Sequence, residues 1–170
     1  MLRQTLAIFF ALIVFGAAQN MAAQSPKKNA KPAAAAPVDR AYLQIIWDGW
    51  SANDLDKQGR FYAQGPGHLF FDVAPLKYTS WDEYKAGVGP APKDAKVTYT
   101  VNDDIQIHSE GNITWVAGTL TMAGTNPQGQ QQTLPLRWTA VLEQQNGRWV
   151  IVHEHVSASA ESAAADQPQP

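Results

Sequence analysis

The chain has 170 residues, no cysteine and a formal net charge of −2. With no Lys/Arg run in its central part, it carries no electrostatic footprint for nucleic acid. Without cysteine there is neither a disulfide framework nor a lipid-modified cysteine, so stability must come from a packed core.

The chain opens on a short basic start, Met1-Leu2-Arg3-Gln4, followed by the apolar run "TLAIFFALIVFGAA" (5–18). That run falls short of the roughly 20 apolar residues a membrane span needs and reads as a secretory signal. Gly16 and Ala18 form a small-x-small cleavage site, so the mature chain is expected to begin near Gln19, at the latest after residue 23. The expected destination is periplasmic or extracellular, without membrane attachment after cleavage; an uncleaved anchor is the alternative. Residues 19–37, with Lys27, Lys28 and Lys31 among Pro and Ala, read as a disordered tether, and 158–170 as a disordered tail. Residues 38–157 remain as one domain, long enough to bury a core.

Asp39 can cap a helix over about 40–52, with Tyr42, Ile45, Ile46, Gly49 and Trp50 on one stripe, widened by Leu43 and Trp47. Asp54 can cap a second, short helix carrying Leu55, Gln58, Phe61 and Tyr62. "GPG" (65–67) stops the helical pattern, and "HLFFD" (68–72) reads as a short strand. Ser80-Trp81-Asp82-Glu83 fits a capping box and starts a third helix. From Val97 to His108 the period becomes two, and Glu110-Gly111-Asn112 turns the chain. Strands follow near 113–123, 132–143 and 148–156, the last two joined by Asn146-Gly147, a strong hairpin signal. Three helices followed by a meander of long strands predict an α+β fold.

The stretches "WDGWSANDLDKQGRFYA", "FFD", "YTSWDEY" and "NGRWVIVHEHVS", in this order, resemble the SnoaL-like domains of the nuclear transport factor 2-like superfamily. That superfamily also holds ketosteroid isomerases and the association domain of a calmodulin-dependent kinase. The resemblance spans 38–157 and implies three N-terminal helices packed in a strongly curved, mostly antiparallel sheet, a cone with a pocket at its open end. For function it implies a choice among isomerases, cyclases, dehydratases, hydrolases and members without catalysis.

With Asn146-Gly147 as a two-residue turn, regular pairing sets Thr139 opposite Glu154, Val141 opposite Val152 and Arg137 opposite Val156. On the other face Trp138 opposes His155, Ala140 opposes His153 and Leu142 opposes Ile151. A one-residue bulge would scramble this register. The sequence alone leaves open which face is concave. The resemblance to ketosteroid isomerases implies that Val152, Glu154, Val156, Thr139 and Val141 line the cavity. Glu154 and Arg137 then become pocket candidates. His153 and His155 go to the convex face beside Trp138, Trp149 and Ile151, where so much apolar surface predicts a homodimer interface.

Asp72 ends the short strand where the resembled isomerases carry their proton-abstracting carboxylate; as a residue in its own right it can equally cap the turn that follows. In an apolar mouth, desolvation would raise its pKa and make it a usable base. The resemblance puts the oxyanion-binding Tyr at Ile46, which has no donor, and the protonated acid at Thr139, so steroid isomerisation is not expected. Glu154 and Arg137 can form a satisfied ion pair inside the cone or a clamp with an acid–base partner, and the pair alone is favoured. His153-x-His155 has a spacing found in metal sites, but a zinc site takes three or four protein ligands and the neighbours supply none, so no metal is expected.

Trp50, Tyr62, Phe70 and Tyr99, with Arg137, Thr139, Val152 and Val156, are the expected ligand-binding residues, suited to a small apolar or aromatic molecule. Asp72 and Glu154 are the catalytic candidates, with no cofactor. The leading expectation is a small-molecule-binding domain with cofactor-free isomerase, dehydratase or cyclase chemistry; a non-catalytic binding or oligomerisation module is the alternative.

Overall fold

A computed structural model describes residues 36–73, 75–89, 96–125 and 129–159, all within one compact unit. The expected signal at 1–18, most of the tether and nearly all of the tail lie outside them. Among the described residues no helix is long and apolar enough to cross a membrane.

The first helix, α1, spans Arg40–Ser51, and the Asp39 carboxylate accepts from the Tyr42 amide at 2.7 Å, as its capping role requires. Its buried residues are Leu43, Ile46 and Trp47, so the apolar stripe lies one position round from the expected one, and Ile45 is exposed. Helix α2, Leu55–Gln58, is capped by Asp54 and continues into a 3₁₀ turn, Gly59–Phe61. Strand β1 is Leu69–Phe71 and helix α3 is Trp81–Val88. Ser80 caps α3 by accepting from Glu83 N at 3.2 Å. The Glu83 carboxylate reaches back one residue further than the expected box, taking Thr79 N and Thr79 Oγ1 at 2.7 Å each.

Five strands follow: β2 (Val97–Val101), β3 (Gln106–Glu110), β4 (Ile113–Thr125), β5 (Gln131–Gln145) and β6 (Arg148–Ala158). The alternating stretch 97–108 is therefore two strands, split by a turn at Asn102–Ile105. Both pair antiparallel with β4, one after the other along the same edge. The sheet order is β1-β6-β5-β4-β2, antiparallel except that β1 runs parallel to β6. Asn146 and Gly147 both take positive φ, 52° and 76°, as a primed hairpin turn demands.

Helix α1 lies along β2 and shields its free edge with polar side chains. Gln44 donates to the Tyr99 carbonyl at 2.9 Å and accepts from Val101 N at 2.8 Å, and Ser51 Oγ accepts from Tyr99 N at 3.0 Å. The other edge strand, β1, exchanges two backbone hydrogen bonds between Phe70 and Tyr78. Gly118 in β4 passes so close to the β2–β3 turn that a Cβ there would lie 2.7 Å from Ile105 Cα.

The β5–β6 ladder departs from the regular register. Gln145↔Arg148 and Leu142↔Ile151 pair as expected, but the register then shifts between Val141 and Leu142. Val141 pairs with His153, Ala140 with Glu154, Thr139 with His155, Trp138 with Val156 and Arg137 with Ser157. Val152 is the extra residue of a β-bulge, and beyond it every β6 residue lies opposite the β5 residue one place on from its expected partner.

Two cross-sheet rows follow. One runs Ile107–Val116–Ala140–Glu154–Phe70 on the inner face. The other runs Ala117–Thr139–His155–Phe71 on the outer face. The core joins Leu43, Ile46 and Trp47 of α1 and Trp81 and Tyr84 of α3 to Phe70, Val116, Leu120, Leu136, Trp138, Ala140 and Val156 of the sheet.

Candidate functional site

The bulge puts a carboxyl group at the centre of the core. Glu154 is 0 % exposed, and both of its oxygens accept a hydrogen bond. Trp138 Nε1 donates to Oε1 at 2.8 Å, and Tyr62 Oη donates to Oε2 at 2.9 Å. Tyr62 in turn accepts from Trp50 Nε1 at 3.0 Å, which commits its own proton to Glu154. Burial, above all, pushes the Glu154 carboxyl up to about 7, although the bonds from Trp138 and Tyr62 pull the other way.

Aromatic rings wall this group. Tyr62 stacks on Trp81 with centroids 4.5 Å apart and meets Phe70 edge-on at 5.5 Å. Tyr84 stacks on Tyr78 at 4.8 Å and on Phe70 at 5.6 Å. On the far side Trp47 lies 5.0 Å from Tyr99 and 5.3 Å from Trp138.

Asp72 follows β1 and is half-buried. Its Oδ1 accepts from Val73 N at 2.7 Å, which is the turn-capping role, and burial raises its carboxyl above the usual range. The Tyr84 phenol lies near both Asp72 and Glu154 and lowers each carboxyl somewhat against the larger effect of burial. Burial first, and the Asp72 charge second, raises the phenols of Tyr78 and Tyr99. For Tyr62 and Tyr84 it is burial first and the Glu154 charge second, and both phenols sit well above their usual value. One phenol thus stands near both a half-buried carboxyl and a fully buried one.

Trp50, Tyr62, Phe70 and Val156 lie in or against the core, and Tyr99 packs on it from β2. Arg137 and Thr139 do not face inward: both are exposed on the outer face, and Val152 is the half-buried bulge residue. The expected pocket role of these three is corrected by the bulge, and so is the ion pair. Glu154 is satisfied by an indole and a phenol, with Arg137 on the opposite face of the sheet.

His153 and His155 do take the outer face, where Phe71 meets them edge-on at 5.6 and 5.8 Å. His153 Nδ1 donates to the Leu69 carbonyl at 2.8 Å. Their expected neighbours are elsewhere, because Trp138, Trp149 and Ile151 are buried in the core. The outer face keeps Trp115, 42 % exposed, with His108 stacked on it at 5.4 Å. Among the described residues no group of three or more His, Cys, Asp or Glu is placed to hold a metal.

Trp138, Tyr84 and Trp47 belong to this constellation and were not singled out for it from sequence. For Trp138 a signal existed. In β5 the apolar positions Leu134, Leu136, Trp138, Ala140 and Leu142 keep one parity, whereas in β6 they switch from Trp149 and Ile151 to Val156. A parity change within one strand marks a bulge. An open cleft of about 650 Å³ lies elsewhere, between the α1–α2 turn and α3, lined by Asp54, Asp56, Asp82 and Lys85 among others.

Residues 41–161 match the SnoaL-like domain family. No curated protein matches the chain. Among solved structures, a nuclear transport factor 2-like superfamily protein from Salmonella enterica superposes with a TM-score of 0.59 at 18% identity, covering 76% of this chain and 96% of that one. The association domain of CaMKII from C. elegans gives 0.59 at 20% identity, covering 69% and 91%. A protein described as a candidate dehydratase of the same superfamily, from Streptomyces avermitilis, gives 0.60 at 11% identity, covering 71% and 94%. At these identities the likeness establishes the cone fold.

Proposed function

Because the chain belongs to the SnoaL-like family, we propose that it binds a small, flat, apolar organic molecule in the cone and moves a proton on it without a cofactor. The observation that carries this reading is the Asp72, Tyr84 and Glu154 cluster. It comprises a half-buried carboxyl with a raised pKa, a phenol beside it, and a buried carboxyl pushed up to about 7. Asp72 is the base that reaches the ligand, and Glu154 holds or returns a proton behind it. Trp50 and Tyr99 are the aromatic surfaces at the mouth.

Proton abstraction can be tested before the natural substrate is known. In D₂O, 2-tetralone exchanges the hydrogens next to its carbonyl, and nuclear magnetic resonance follows the loss of signal. The protein is expected to accelerate this exchange at least a hundredfold over acetate at equal carboxylate concentration, as general-base catalysis typically does. Asp72→Asn should remove the acceleration and leave binding within about threefold. Exchange no faster than in acetate would sink the catalytic reading.

A second reading has its own support. Glu154 and Tyr62 are sealed from solvent, whereas Trp115 stands exposed on the outer sheet face, which suits a non-catalytic module that pairs through that face. Absent exchange combined with a homodimer in sedimentation, lost in Trp115→Ser, would favour it.

The basic start and apolar run at 1–18 support export to the periplasm or beyond. The intact mass of the protein recovered from the exported fraction is then expected to match a chain beginning between Gln19 and Gln24. A full-length mass there would mean that the run is retained.

A further inference from the structure

Asn112-Ile113-Thr114 is the one place in the chain where an Asn is followed two residues on by Ser or Thr. That spacing is the acceptor motif for N-linked sugar, which exported proteins carry on surface loops. Asn112 occupies such a place. Glu110 pairs with Ile113, so Gly111 and Asn112 alone make the β3–β4 turn, and Gly111 supplies its positive φ of 60°. Asn112 is exposed at the tip, and its side-chain nitrogen makes a long bond of 3.4 Å to Glu143 Oε1. At that length the bond is weak, so the nitrogen is available to react.

Resting on the export reading above, we propose that Asn112 is the attachment site of an oligosaccharide, taken from a polyprenyl-diphosphate carrier in the membrane the chain crosses. The side-chain nitrogen attacks C1 of the first sugar. The N–C1 bond forms and the C1–O bond to phosphate breaks. The polyprenyl diphosphate leaves with that electron pair, and the amide gives up one proton.

The geometry also orders the events. Thr114 is 0 % exposed, and its hydroxyl pairs with Ser109 Oγ at 2.8 Å across the two strands. The motif needs that hydroxyl, since only Ser and Thr serve at its third place. Once β3 and β4 have paired, the amide is open but the hydroxyl is shut away. The sugar therefore goes on before this hairpin closes, and the folded protein is a poor acceptor. Ile113 and Trp115 follow Asn112 onto the outer face, 37 % and 42 % exposed. An oligosaccharide rooted at Asn112 stands beside both and shields apolar surface that would otherwise face water.

The test recovers the full chain from the exported fraction of its own cells and measures the mass of the peptide that holds Asn112. The expected result is a peptide heavier by an oligosaccharide, with the sugar lost altogether in Asn112→Gln and in Thr114→Val. Thr114→Ser should keep it. Ser109→Ala, which removes the partner of Thr114 and leaves the motif whole, should keep it too, which separates the acceptor role of the hydroxyl from its packing role. An unmodified Asn112 in a chain whose leader has been removed would overturn the proposal. If the leader is retained, the export reading fails, and the chain is then placed behind an established export leader. An unmodified peptide there overturns the sugar site, and a modified one supports it independently of residues 1–18. Protein made without a leader and already folded should take up no sugar from membranes holding the transferase and its lipid-linked donor. Uptake as fast as that of the nascent chain would overturn the order of events.

Discussion

Glu154→Gln is expected to flatten the pH dependence of stability. Relative to the variant, the native protein should lose about 2.5 kcal/mol between pH 5 and pH 8, at 1.36 kcal/mol per pKa unit. The sign follows from the direction of the shift. The Glu154 carboxyl has an ordinary value of 4.5 and is pushed up to about 7 by burial. Between those values the folded chain keeps a proton that the unfolded chain has released, so stability falls as pH rises through this window and levels off above it.

The other titratable groups facing Glu154 are Tyr62, Tyr84 and Asp72. The two phenols stay protonated throughout, and burial raises Asp72 in the same direction. The Asp72 contribution persists in the variant, so the difference between the two proteins isolates Glu154. Thermal melts at the two pH values would read it as a relative drop in Tm of roughly 10 °C, at about 4 °C per kcal/mol for a domain of this size. Parallel pH profiles would mean that Glu154 is ionised in the folded protein at pH 5.

The fold could be read from the sequence because its signals are local. Asp39, Asp54 and Ser80 each cap the helix they precede, and Asn146-Gly147 makes the turn its dihedral angles require. Such signals act over a few residues and are read one at a time. The site is different, because it depends on which of two faces each strand residue takes. That choice propagates along the ladder from the turn, and one unpaired residue, Val152, reverses it for everything beyond.

Glu154 and Val156 were expected inside and are there, but with the wrong companions. Trp138 replaces Thr139, and Arg137 moves from the cavity to solvent. The buried carboxyl therefore carries no cation, and its proton affinity rises where an ion pair would have lowered it. A satisfied structural pair became a group that can change charge near neutral pH.

Trp138→Phe is the substitution expected to cost most, and its cost should depend on pH. At pH 5 Glu154 is protonated, and the change removes part of a core side chain that is 1 % exposed. Large-to-small changes in a packed core suggest about 2–3 kcal/mol. At pH 8 the same change leaves a buried carboxylate oxygen without its donor, since Trp138 Nε1 is the partner of Oε1 at 2.8 Å. A hydrogen bond to a charged group adds about 1.5–3 kcal/mol.

No neighbour can take over. Tyr62 already gives its proton to Oε2, because its own oxygen is occupied by Trp50 N–H. The network has a fixed polarity, from Trp50 through Tyr62 to the carboxylate, and Trp138 feeds the other oxygen alone. Urea unfolding of the variant at both pH values would separate the two contributions. A cost equal at pH 5 and pH 8 would mean that the indole acts as packing, whereas a cost that grows with pH would assign the N–H the task of holding the charge.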